Sequence, residues 1–369
     1  MIDAQRPTSY ERMPNTACEQ EFAILLEPSA NRVYSENAVN MLRAEVGVFD
    51  EFLIDGAIGN VRVSTVAAAP CLRFSADGLT KRDLDCLANL SSSYVLFAVH
   101  DELLMPVAGT PLDRYDHDLL SILKYRGKTN EQFTKLLMNV TAATMNSVDA
   151  YLNRQLRVLD PLCGRGTTLN QAIMYGWDAY GIDIDRGDTG AYRAFISRWL
   201  KDKRLKHTLR ESRVRRDGKT LGRRFSAEFA ESKEEYRADR TQLIDVLTAD
   251  TLHAADLHSG RGFDLIVTDA PYGVQHGAVN SQSKLSRNPS ALLEEAMTGW
   301  SAVLRPGGSI GLAWNTRQTS RQILEAIMSA EGLQVVEGDH FQGFHHRVDQ
   351  AIDRDLIVAR KPHRRDPSA

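Results

Sequence analysis

Asp269-Ala270-Pro271-Tyr272 places a carboxylate, a backbone carbonyl, a stiff turn and an aromatic ring directly after the apolar run Leu265-Ile266-Val267. Together these groups suit an exocyclic amine on an aromatic base. Such an amine is a poor nucleophile, because its lone pair is delocalised into the ring. Two acceptors aimed at its two hydrogens draw the nitrogen toward a tetrahedral shape and free that pair for in-line attack on a methyl donor. The Asp269 carboxylate and the Ala270 carbonyl are the candidate acceptors, Pro271 stiffens the turn, and the Tyr272 ring can stack on a base turned out of its helix. In isolation, Asp-x-Pro reads more simply as a turn that ends a strand, so its chemistry depends on what precedes it.

About a hundred residues upstream stands Asp160-Pro161-Leu162-Cys163-Gly164-Arg165-Gly166-Thr167-Thr168, after the strand-like run Leu156-Arg157-Val158-Leu159. Gly164 and Gly166 fall where a strand turns into a helix. There the backbone can approach a ligand without a Cβ in the way, and the helix start directs free N–H groups into the pocket. The dinucleotide pattern G-x-G-x-x-G is not met because position 169 is Leu, and no Gly-Lys-Ser/Thr ending makes a Walker loop. An Asp-x-x-x-Gly-x-Gly loop remains, in which Asp160, Cys163, Gly164, Gly166 and Thr167 are candidate cofactor contacts. Asp183, at the end of the next strand, can accept from both ribose hydroxyls, and Asp250 can bind an adenine amine. Acidic groups suit a cationic sulfonium donor. Tyr125, Lys128 and Thr129, before the helix that leads into the first strand, can reach the donor's amino-acid end. The competing reading of Thr129 is a helix cap.

These residues need a scaffold of alternating strands and helices. The pattern predicts a helix from Asn130 to Ser147 with Thr129 as its N-cap, a helix from Thr168 to Tyr175, and seven strands. The strands fall at Leu156–Leu159, Asp178–Asp183, Val246–Leu247, Phe263–Val267, Ser309–Trp314, Leu333–Val336 and Asp355–Ala359. This is a doubly wound, Rossmann-like α/β sheet whose last pair, separated only by loop, brings in an antiparallel strand. Ahead of it, strands at Phe22–Leu26, Asn60–Val66 and Tyr94–Val99, with helices at Ser35–Val46 and Thr80–Leu90, suggest a smaller α/β domain over 20–110, closed by the linker Val107-Ala108-Gly109-Thr110-Pro111. The resulting division is a flexible lead over 1–19, the small domain, a catalytic domain over 111–363 with a charged insertion at 186–243, and a tail over 364–369.

The insertion is the unusual part. From Lys201 to Arg224 there are eleven basic residues against three acidic ones, in a chain whose formal net charge is −3. A chain clothed in basic surface would not carry that net charge, so any nucleic-acid contact must be local. The run can supply phosphate contacts, with Trp199 and Phe225 flanking it as stacking rings. It can equally be a solvated excursion balanced by the acidic stretch Glu228 to Asp239, read as one face of a helix. His345 and His346 lack the further ligands a metal would need. Cys18, Cys71, Cys86 and Cys163 show no Cys-x-x-Cys spacing, and nothing approaches the ~20 apolar residues of a membrane span. Reduced thiols in a cytoplasmic protein are therefore expected.

The Asp-Pro-x-Cys-Gly-x-Gly-Thr loop and Asp269-Ala270-Pro271-Tyr272-Gly273 resemble those of the tRNA guanine-N2 methyltransferases and the related rRNA guanine-N2 and N6-adenine enzymes. The segment His346 to Val358 is similar to the end of that family's catalytic domain, and the resemblance covers roughly 115–361. It implies the class I methyltransferase fold, S-adenosyl-L-methionine as cofactor, and methyl transfer to guanine N2 in structured RNA, tRNA first. It also implies Asp269 as the catalytic carboxylate and Tyr272 as the stacking ring. Ala270 stands where the family usually has proline, which keeps the carbonyl but loses one fixed φ. Residues 20–107 show no match to the RNA-binding THUMP domain that many relatives carry there, although this region could still help to bind RNA. Other readings stay open: an N6-adenine methyltransferase on DNA or RNA, a small-molecule N-methyltransferase with the insertion as lid, and a binding protein without turnover.

Overall fold

A computed structural model of the chain describes residues 19–29, 32–121, 129–153, 155–216, 218–271, 278–279, 285–286 and 289–363. Tyr125, Lys128, Tyr272 and Cys18 lie outside the described residues, as do nearly all of the lead (1–18) and the tail (364–369).

The N-terminal part forms β1 (Gln20–Leu26), α1 (Arg32–Phe52), β2 (Ala57–Val66), β3 (Ala69–Asp77), α2 (Lys81–Ala88), β4 (Ser93–His100) and β5 (Leu103–Pro106). Its strands make one antiparallel sheet in the order β2-β3-β1-β4-β5. β3 was not expected from the sequence. Thr80 caps α2 with a full capping box to Asp83. The Gly-Pro stretch that follows β5 is pinned rather than loose: Thr110 N–H donates to Asp85 (2.6 Å) and Leu112 N–H to the side chain of Asn89 (2.7 Å).

The second part begins with α3 (Asp118–Ser121), α4 (Glu131–Ala143), α5 (Val148–Asn153), β6 (Arg157–Asp160), α6 (Thr167–Met174), β7 (Asp178–Asp183) and α7 (Arg186–Asp202). It continues with β8 (Lys206–Arg216), β9 (Lys219–Ala230), α8 (Lys233–Arg237), β10 (Gln242–Ala249), α9 (Ala254–Leu257), β11 (Phe263–Asp269), β12 (Ala278–Val279) and β13 (Leu285–Ser286). α10 (Pro289–Val303), β14 (Leu304–Asn315), α11 (Arg321–Ala330), β15 (Gln334–Val335), β16 (His346–Arg347) and β17 (Asp353–Arg360) complete it.

The large sheet runs β15-β17-β14-β11-β6-β7-β10-β9-β8, with β16 on β17. β14, β11, β6, β7 and β10 are mutually parallel, and β17 enters antiparallel between β14 and β15. This is the class I methyltransferase sheet that the seven expected strands imply. The order reverses between β6 and β11, and open α/β sheets bind ligands beyond the strand ends at such a switch point.

Three sequence expectations change. The cap of α4 is Asn130, whose side chain accepts from Phe133 N–H (3.0 Å), while Thr129 lies one residue outside the cap and turns its hydroxyl to Asp269. The charged insertion is α7, the ordinary crossover helix, followed by a long antiparallel hairpin that adds β9 and β8 to the sheet beside β10. The acidic stretch is not one helix: Glu228 belongs to β9, and only Lys233–Arg237 is helical.

One apolar core runs continuously from Phe22, Ile24 and Leu72 of the first sheet, through α1 and α4, to Val158, Ala179 and Phe225 of the second. A second core fills the opposite face of the large sheet, around Trp300, Ile266 and Leu312. At the junction of the two parts the buried Glu45 carboxylate accepts from Ser91 N–H (3.1 and 3.0 Å), Ser91 Oγ (2.6 Å) and Asn139 Nδ2 of α4 (2.7 Å). Asn139 Oδ1 in turn accepts from Tyr151 (3.2 Å) and Tyr175 (2.8 Å), so the buried polar groups are satisfied across the seam. Burial outweighs these bonds and holds the Glu45 carboxyl up at about 7.

Candidate functional site

Four aspartates end four adjacent strands. In sheet order they are Asp269 (β11), Asp160 (β6), Asp183 (β7) and Asp250, immediately after β10. Three strand spacings make an edge about 14 Å long, enough for a nucleoside with an amino-acid tail lying along it.

The glycine loop turns between β6 and α6. Gly164 (φ +48°) and Gly166 (φ +81°) both adopt left-handed backbone that favours glycine. A Cβ on Gly166 would run into the ring of Tyr192 from α7, whereas one on Gly164 would meet nothing within 4 Å. Gly166 is therefore a packing requirement, and Gly164 faces open space beside the start of an eight-residue helix. Thr167 is the first residue of that helix, with its N–H groups at the same opening. Asp183 builds the loop as well as rimming it, since its two oxygens accept from Gly164 N–H (2.7 Å) and Asp185 N–H (2.8 Å). Asp250 accepts from Leu252 N–H (3.0 Å), fixing the turn after β10. Cys163 is buried, with its N–H on Ile182 O (3.0 Å), and burial pushes its thiol well above the ordinary value, which suits packing and not nucleophilic attack.

Asp160 is 3% exposed. It accepts from Leu162 N–H (3.1 Å), from the Thr168 hydroxyl and from Thr268 Oγ1 (2.7 Å). Burial is the larger influence and raises its carboxyl to about 7. Thr268 belongs to the strand that carries Asp269, so this bond ties the two sequence motifs side to side.

Asp269 is held from two directions. Thr129 Oγ1 donates to its Oδ2 (2.7 Å), and an Arg354 guanidinium nitrogen lies 3.5 Å from the same oxygen. Arg354 is itself buried, stacked 4.5 Å over the Phe133 ring of α4. His346 also packs on Phe133, with 5.2 Å between ring centres and its Nδ1–H on Phe344 O (2.8 Å). Burial, with Arg354 nearby, lowers its pKa to about 4, so it is neutral near pH 7. Ala270 is almost fully buried, and its N–H donates to Ala313 O of β14 (2.8 Å). A proline there could not make this bond, so at this position a hydrogen bond and not a ring restrains the turn. Pro271 closes the described part of the motif; Tyr272, Tyr125 and Lys128 lie outside the described residues.

The structure thus brings Asp160, Cys163, Gly164, Gly166, Thr167, Asp183, Asp250, Asp269, Ala270 and Thr129 to one edge of the sheet. Arg354 and Thr268 were missed as site residues, because nothing local in the sequence marks an arginine in the last strand or sets apart the threonine that ends the apolar run before Asp269. The stacking role expected for Trp199 and Phe225 is not available. Both are buried, since α7 and β9 turn them into the apolar core, where Trp199 Nε1–H donates to Asp118 (3.0 Å). Among the described residues no His/Cys/Asp/Glu group could hold a metal, and no helix is long and apolar enough to cross a membrane.

The sequence profile of the family described as "RMKL-like, methyltransferase domain" matches residues 131–335. No curated protein sequence matches significantly. Among solved structures, TrmN from Thermus thermophilus is similar at 17% identity over 82% of this chain, with a TM-score of 0.38; the chain spans 59% of that protein's length. Magnesium protoporphyrin IX methyltransferase (ChlM) from Synechocystis, with bound S-adenosylmethionine, is 14% identical over 64% of this chain and 86% of its own (TM-score 0.35). A methyltransferase homologue from Pyrococcus horikoshii is 10% identical over 93% and 87% (TM-score 0.36).

Proposed function

This chain belongs to the family of RMKL-like methyltransferase domains, and from that premise we propose that it methylates the exocyclic N2 amine of a guanine in RNA, with tRNA as the first substrate. That it is an S-adenosylmethionine-dependent methyltransferase follows from the family and the fold; the base, the atom and the RNA are our reading.

The loop from Asp160 to Thr167, with Asp183 and Asp250, is the place for the cofactor. The open space at Gly164, the start of α6 and the acidic rim suit a nucleoside that bears a positive charge. S-adenosylmethionine supplies an electrophilic methyl group. The chain's own residues prepare the acceptor: the Asp269 carboxylate and Ala270 carbonyl accept hydrogen bonds from the two amine N–H groups, and Pro271 and the Ala270 N–H bond keep the turn still. Tyr272 stacks on the base. As the new N–C bond forms, the surplus proton leaves through the Asp269 carboxylate. The observation that carries this reading is the restraint on Asp269 at the end of β11, where Thr129 and Arg354 fix the same carboxylate oxygen one strand away from the cofactor loop.

The test is incubation with labelled S-adenosylmethionine and unmodified tRNA, then nuclease digestion and mass spectrometry of nucleosides, beside the Asp269→Ala protein. Label in N2-methylguanosine that disappears in the variant is the expected result. N6-methyladenosine as sole product would replace guanine by adenine, and label in no nucleoside would move the reading to a non-RNA acceptor.

A further inference from the structure

The basic run splits into two populations once it is folded. Some charges are used internally: Lys203 pairs with Asp116 (2.8 Å) and Asp118 (2.6 Å), and Arg224 with the buried Asp245 (3.1 Å), whereas Lys201, Arg204 and Arg210, farther from the tip, are exposed without an ion pair among the described residues. Toward the tip, Arg213, Arg215, Lys219 and Arg223 are exposed, and none forms an ion pair among the described residues.

The register places that tip. β9 runs antiparallel to β10, with Arg223 opposite Thr248 and Gly222 opposite Ala249, while Thr248 is itself opposite Asp183 at the end of β7. The described residues from Arg215 to Leu221 therefore project beyond the carboxyl edge of the sheet, on the side where the four aspartates lie, with Arg213 and Arg223 just inside that edge. Arg213 sits directly across from Arg223, and Arg216 across from Lys219. Directly opposed like charges destabilise a strand pair. Lysine and arginine on an outer strand can serve to discourage edge-to-edge pairing, which would account for β8. It does not account for Arg223, which lies where β9 is paired on both sides. The tip is also held in place: Val214 and Leu221 pack against the second core, and Arg216 pairs with Asp256. A preset arm loses little conformational freedom when it meets a ligand.

We propose that the outer half of the β8–β9 hairpin, through Arg213, Arg215, Lys219 and Arg223, grips the phosphate backbone of the RNA strand that delivers its base to Asp269. An anion between Arg213 and Arg223 relieves their mutual repulsion, so the unfavourable pair becomes favourable when RNA is bound. This rests on the RNA reading above and adds to it the surface that receives the backbone.

The experiment is equilibrium binding of unmodified, in-vitro-transcribed tRNA to the full chain across 50–200 mM salt. It uses the Arg213→Gln/Arg223→Gln protein and, as a matched loss of charge near the hairpin foot, Lys233→Gln/Arg237→Gln. Two lost phosphate contacts should flatten the slope of log affinity against log salt by roughly 1.5 to 2 and weaken low-salt binding severalfold or more. The Lys233/Arg237 protein should bind as the parent does. S-adenosylmethionine affinity should not change, and the melting temperature of the Arg213/Arg223 protein should hold or rise, where a purely structural role would lower it. An unchanged slope, or an equal loss in both double variants, overturns the proposal. Methylated nucleosides are scored separately. RNA bound through the tip but never methylated would sink the RNA-methylation reading and leave the arm, whereas methylation with tip-independent binding would do the reverse.

Discussion

Asp160 and Asp269 end neighbouring parallel strands, yet the protein surrounds them differently. Asp160 is sealed beneath the loop among neutral donors only, and burial lifts its carboxyl to about 7. Asp269 sits nearer the rim and has a guanidinium and a hydroxyl on one oxygen. On the proposed mechanism the contrast is functional. A carboxylate that will meet a cationic cofactor needs no cation from the protein, whereas one that must accept from a neutral amine is oriented by a cation of its own.

The comparison breaks most sharply at Asp269. Asp269→Ala should lower kcat by roughly a hundredfold to a thousandfold, the cost of removing one preorganised polar partner of the reacting group, with S-adenosylmethionine binding intact by calorimetry. Equal activity would remove Asp269 from the mechanism. Arg354→Met should come next, lowering kcat about tenfold to a hundredfold, because the carboxylate loses its buried partner and its fixed direction. Arg354→Lys should recover part of that loss, and a change confined to melting temperature would mean that the pair is structural only.

Asp160 gives a pH signature. Its folded carboxyl is raised, so the proton is held more tightly in the folded chain than in the unfolded one. The stability this contributes is full below about pH 4 and is lost as pH rises through 7, by a few kcal/mol at most. Thermal melts of the ligand-free protein should show that decline, on top of a similar one from Glu45, and Asp160→Asn should lessen it. Binding of the sulfonium cofactor should tighten severalfold from pH 6 to 8, with a weaker trend for its uncharged thioether product and a flat one in Asp160→Asn. The smallest effect belongs to Ala270→Pro. Losing the bond to Ala313 O costs about 1 kcal/mol, partly offset by the fixed φ, so kcat should move less than about fivefold. A hundredfold fall would mean that the N–H bond sets the geometry of the site.

Much of this was legible because its signals are local. The glycine loop, the Asp269 tetrapeptide and the seven strands each announce themselves within ten residues, through an apolar run and the turn chemistry that follows it. The hairpin was harder, because arginines fill positions where alternation would otherwise show. Its signal was nonetheless present: Asp217-Gly218 is a favoured two-residue hairpin turn, and Gly218 adopts φ +77° between Arg216 and Lys219. β3 was hidden by Pro70 near its start, although that residue is tolerated at a strand's beginning. Arg354 was invisible for a different reason. Its partnership with Asp269 exists only after β17 has inserted between β14 and β15, and no spacing rule encodes that event.

The Glu45–Asn139 seam has an evolutionary consequence. Families that diversify by exchanging recognition modules need a joint at which one module can be cut away and another spliced in. Here the residues facing the first sheet and those facing the catalytic sheet are satisfied by one another, within one uninterrupted apolar core. A splice at the Gly-Pro stretch would leave the buried Glu45 carboxylate its Ser91 donors but remove Asn139, the one donor that comes from the catalytic part. On the proposal that the exposed arm receives the RNA backbone, new substrates are more accessible to this chain by point changes on that arm than by trading its N-terminal half.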